Sequence, residues 1–136
     1  MGAGGEGAAR GVRVTVEVGP GELLDRIARL QVALERGGAP PGLAGELAAL
    51  MAARDAALPA SARLDALAEA LAEVEAELAA LRADLAGCEA RGDFGPAFAA
   101  LARAVEPLRD RRAALRAEVD ALLAADPGPG PRGPLI

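Results

Sequence analysis

Leu64, Leu67, Leu71, Val74, Leu78, Leu81, Leu85 and Cys88 follow one another at alternating steps of three and four residues, without a fault. Apolar residues on that period form a seam along one side of an α-helix, the pattern of helices that wind around a neighbour. Ser61 stands ahead of the seam as a helix N-cap and Gly92 behind it as a stop. A second seam begins at once: Phe94, Phe98, Leu101, Val105, Leu108, Arg112, Leu115, Val119 and Leu122. Its one charged member is Arg112. Pro107 lies inside the pattern, where it removes the hydrogen bond to the Arg103 carbonyl and predicts a kink. At about 1.5 Å per residue each helix spans roughly 45 Å. Because so few residues separate them, the two should fold back as an antiparallel, coiled-coil-like hairpin.

The preceding chain predicts two shorter helices. Gly19 at the N-cap, Pro20 at N1 and Glu22 at N3 open the first, whose stripe is Leu23, Ile27, Leu30 and Leu34. Gly37 and Gly38 end it, and Pro40 and Pro41 keep it from resuming. The second runs from about Gly42 to Ala57 on Leu43, Leu47 and Leu50, and Pro59 stops it. Before them, residues 12–18 alternate. Val12, Val14, Val16 and Val18 fall on one side, with Arg13, Thr15 and Glu17 on the other, the pattern of a β-strand. The expected fold is therefore mainly α: one short N-terminal β-strand followed by four helices. Residues 12–125 form a single helical domain between a Gly-rich disordered tail, 1–11, and a Pro/Gly-rich one, 126–136.

Composition narrows the chemistry. The 136 residues include no His and one Cys, Cys88, so Cys/His zinc sites and Ser-His or Cys-His nucleophile pairs are excluded, and no internal disulfide can form. A single Cys, no apolar run of membrane-spanning length and no signal-like leader give a cytoplasmic protein as the expectation. The net charge is −5, every basic residue is Arg, and the only aromatics are Phe94 and Phe98. That is not the footprint of a nucleic-acid binder. Gly2, Gly4 and Gly7 spell GxGxxG, but they precede the strand and open no helix, so they do not make a dinucleotide loop. Glu73, Glu75 and Glu77 alternate by two and fan around their helix, which argues against a carboxylate metal site. No cofactor is expected.

Two stretches, GPGELLDRIARLQVALER and CEARGDFGPAFAALARAVEPLRDRRAAL, resemble a bacterial family of short uncharacterised proteins. Its members open near SPGELIDKITIL and close near LARSVYxTNDxRAAIK. The matching positions include Pro20, Gly21, Glu22, Leu23, Asp25 and Ile27 at one end and Phe94, Phe98, Leu101, Arg103, Asp110 and Arg111 at the other. The resemblance covers most of residues 14–122 and implies no activity. This chain departs from the pattern at four places: Gly19 replaces the usual Ser cap, Pro107 falls where the family has no Pro, Ala79 replaces a usual Trp, and Arg82-Ala83 stand where a Glu-Asp pair is common.

The candidate site residues are charged. Arg103, Arg109, Arg111, Arg112 and Arg116 form a candidate anion-binding set, because guanidinium groups hold carboxylate and phosphate bidentately. Glu22, Asp25 and Asp110 form a candidate polar motif. Their structural readings are simpler: Asp25 and Arg29 as an i,i+4 ion pair, and Arg112 as a seam residue paired with a carboxylate such as Asp84 or Glu77. Cys88 reads as a packed core thiol.

The short helices can cover about half of the long seams, and a lone strand leaves its backbone groups unpaired. The expected function is a non-enzymatic helical interaction or scaffold protein that pairs with a second copy, or with another protein, through its hairpin and strand. The alternative is a small all-α anion-binding protein or enzyme with an Arg-lined pocket between the first and fourth helices.

Overall fold

A computed structural model describes residue 12 and residues 14–125. Among them there are four helices and no strand: α1 Pro20–Arg36, α2 Leu43–Ala57, α3 Ala62–Arg91 and α4 Pro96–Ala125. The strand expected over 12–18 is corrected on this point. Val12, Val14 and Val16 are exposed at 89, 79 and 67%, in a segment without regular structure. The physical reason is that a β-ladder needs a second edge, and four helices offer none. The tails expected at 1–11 and 126–136 lie outside the described residues.

Local chemistry sets the helix ends. Gly19 is the N-cap of α1, with Pro20 at N1. Leu58, held extended by the following Pro59, closes α2. The Ser61 hydroxyl accepts the Leu64 N–H at 3.1 Å and opens α3. Gly92, at φ 69°, closes α3 in a Schellman arrangement. Its N–H reaches the Glu89 carbonyl at 3.1 Å, while the Asp93 N–H reaches that of Cys88 at 2.8 Å. Phe94 and Phe98 meet edge to face at the start of α4, with centroids 5.1 Å apart. α4 then runs unbroken through Pro107 to Ala125. Pro107 has no N–H, so the Arg103 carbonyl lacks its helical donor, and Arg103 is exposed.

Helix α1 is the hub, packing against α2, α3 and α4, while α3 and α4 also pack along each other. That position explains why α1 buries more than the single stripe its spacing predicts. Leu23 and Ile27 are buried as expected, but so are Leu24, Ala28 and Val32 on the adjoining face. On α3 the first five seam residues, Leu64 to Leu78, are at most 3% exposed. Leu115, Val119 and Leu123 of α4 complete the core. The other ends of the long helices differ. Leu81, Leu85, Phe98, Leu101, Val105 and Leu108 are only half-buried, and Phe94 is 62% exposed. Arg63, in the first turn of α3, is paired with Glu118 near the end of α4 at 2.6 Å.

Candidate functional site

The most unusual feature of the interior is a set of charges where α1, α3 and α4 meet. Asp25 is fully buried on α1, one turn before Arg29. Glu75, on the shoulder of the α3 seam, is 3% exposed. Asp25 Oδ2 accepts from Arg29 at 2.9 Å and from Arg116 of α4 at 3.5 Å. Glu75 Oε2 faces Arg112 at 3.4 Å and the Arg29 Nε at 3.8 Å. Glu22 extends the set toward solvent, paired with Arg26 and lying 3.9 Å from Arg116.

One atom stands out. Asp25 Oδ1 is buried and has no hydrogen-bond donor among the described side chains. Burial pushes the Glu75 carboxyl up from 4.5 to about 7, and a hydrogen bond to Asp25 and the Asp25 charge push it the same way. Arg112 and Arg29 pull it down, but less. A neutral Glu75 has a proton to donate, and Oδ1 is the Asp25 oxygen that needs one, because Oδ2 already serves two guanidinium groups.

The expected site residues therefore divide. Glu22, Asp25, Arg112 and Arg116 come together in this set. Arg103, Arg109, Arg111 and Asp110 do not: all four are exposed on α4. Arg112 pairs with Glu75 rather than with Asp84 or Glu77. The i,i+4 pair of Asp25 and Arg29 is present, with Asp25 at its buried end. Cys88 is packed, 3% exposed, with the Arg91 guanidinium 3.6 Å from its sulfur. Among the described residues no group of three His, Cys, Asp or Glu is placed to hold a metal ion, and no described helix is long and apolar enough to cross a membrane.

Sequence reasoning missed Glu75 and the groove beside it. Arg29, Arg36 and Arg82 border a groove of about 460 Å³ between the C-terminal half of α1 and the middle of α3. Val32, Ala33 and Ala79 line it, with Glu75 at the same wall. The available signal was spacing: Ala68, Glu75 and Arg82 recur every seven residues beside the leucine seam, and Ala72 and Ala79 do likewise. Small residues on that shoulder admit a third helix, and a third helix buries whatever else stands there. No family model matches the chain, and no curated protein or solved structure matches it either.

Proposed function

We propose that this chain is a non-enzymatic helical interaction protein that works as a homodimer. α3 and α4 form an antiparallel, coiled-coil-like hairpin, whose tip half is the contact surface. One observation carries the reading: past Leu78 the seam is less deeply buried, with Leu81, Leu85 and Leu101 only half-buried and Val105 and Leu108 at the edge of the core. Incompletely buried apolar rows of this kind, with Phe94 62% exposed beside them, suit an association surface.

A second copy is the occupant that fits. α3 carries seven acidic residues against three Arg, and α4 carries five Arg against four acidic residues. A two-fold arrangement sets the acidic α3 of one chain beside the more basic α4 of its partner, and buries both leucine rows in a four-helix bundle. We place the protein in the cytoplasm on the strength of its single, packed Cys88. We also propose membership of the bacterial family its motifs resemble. In support, the motif residues Gly21, Glu22 and Asp25 lie against Arg116 of α4, the residue that directly follows the second motif.

Replacing Val105 with Glu tests the surface. Val105→Glu should sediment as a monomer while keeping its helical circular dichroism. Wild-type and variant chains sedimenting alike would remove the hairpin tip as the contact.

A further inference from the structure

We propose that the groove between α1 and α3 is a binding site for a small dianion bearing carboxylate or phosphate groups, held by the guanidinium groups of Arg29, Arg36 and Arg82. This goes beyond the interaction role and does not depend on it.

Three guanidinium groups from two helices border one cavity of about 460 Å³, enough for a molecule of several heavy atoms. Arg36 and Arg82 make no ion pair among the described residues. Arg29 gives one terminal nitrogen to Asp25 and turns its Nε toward Glu75 at 3.8 Å, which leaves its other terminal nitrogen unpaired on a side chain that is 48% exposed. Forked donors suit a planar or tetrahedral oxyanion, which they grip with paired hydrogen bonds. Between the cations the wall is small and apolar, formed by Val32, Ala33 and Ala79. Such a wall accommodates a short carbon body.

The one acidic group at the groove is Glu75. It faces Arg112 on α4 and Asp25 and Arg29 on α1, and the protonated form does not repel an incoming anion. Arg36 sits in the last turn of α1, where its charge also answers the negative end of the helix dipole. Arg82 is therefore the residue whose charge is most available to a ligand. The whole chain is acidic, at −5, so a dianion gathers at this groove only through local geometry and not through the overall field.

Calorimetric titration of the full chain with inorganic phosphate and, separately, with succinate tests the site. Saturable binding to wild type is expected. Arg82→Ala should weaken it about tenfold or more, as loss of a charge-assisted donor does, while Arg109→Ala, an exposed Arg of α4, leaves it unchanged. Whichever probe binds more tightly assigns the ligand to the phosphate or the dicarboxylate class. Affinity for succinate, which is a dianion throughout that range, should also fall as pH rises through about 7, and Glu75→Gln should flatten that dependence. Non-saturating heats with both probes overturn the proposal. An equal loss in Arg109→Ala also overturns it, because it shows general charge attraction in place of a site.

Discussion

Asp120 caps helix α1 from ninety-nine residues away: its Oδ1 accepts the Gly21 N–H at 2.8 Å. Gly19, the N-cap residue, has no side chain to do this, so the orphan donors at the start of α1 are answered from α4. The approach is close. A Cβ on Gly21 would lie 2.5 Å from the Arg116 carbonyl oxygen and 3.0 Å from Asp120 Oδ1. Gly21→Ala forces backbone against backbone and should cost on the order of 2–3 kcal/mol despite the better helix propensity of Ala. Asp120→Ala should cost about 1 kcal/mol, as other cap removals do. Urea denaturation of the two variants measures both, and a neutral Gly21→Ala would show that α1 does not dock this tightly on α4.

Asp25→Ala removes the shared acceptor of Arg29 and Arg116 and deprives Glu75 of its partner. Breaking a buried ionic set from one side is costly, and the exposed half of Arg29 moderates the cost, so a loss of about 2–4 kcal/mol is expected. Asp25→Asn should cost less, because Asn keeps the size and one acceptor oxygen. Thermal melts order the two variants. The reverse order would mean that the charge of Asp25, and not its shape, dominates.

Glu75 makes stability depend on pH with a definite sign. Its folded pKa, about 7, lies above the ordinary 4.5, so the folded chain holds this proton more tightly than the unfolded chain does. The contribution is full below 4.5 and is lost as pH rises through about 7. Glu75→Gln keeps a donor for Asp25 Oδ1 and cannot ionise. The stability of wild type relative to Glu75→Gln should therefore fall by on the order of 2–3 kcal/mol between about pH 4.5 and pH 7.5, then level off. Paired denaturant melts across that range check the slope, and a flat difference would mean that Glu75 is ionised throughout.

Pro107 stands exposed inside an unbroken α4 and leaves the Arg103 carbonyl without its helical donor. Pro107→Ala restores that bond and removes the ring from the helix interior. It should raise stability by about 1–3 kcal/mol. A loss of stability on calorimetry would show that the Pro107 ring contributes packing that outweighs the missing hydrogen bond.

The long-range parts of this fold were legible where one residue type repeats against one neighbour. The leucine row of α3, its Ser61 cap and its Gly92 stop are local or periodic signals, and the structure places them as the spacing predicts. Asp120 and Glu75 were not legible, because their roles depend on which side of α3 and α4 the first helix chooses. A seven-residue repeat marks the seam but leaves its two shoulders equivalent until a third helix lands on one. The Arg cluster of α4 was legible as charge but not as geometry. Arg112 and Arg116 reach the buried carboxylates Glu75 and Asp25, whereas Arg103, Arg109 and Arg111 are exposed. The valine alternation shows a limit of a different kind, since a strand is a property of two edges and one chain shows only one.

Association through the uncovered half of the hairpin is the claim on which the functional reading rests. Light scattering on the eluting peak of the full chain, across the micromolar range, tests it most directly. A mass twice the 13.6 kDa of one chain is expected, falling to the single-chain value in Val105→Glu. A wild-type mass of 13.6 kDa at every concentration would contradict it.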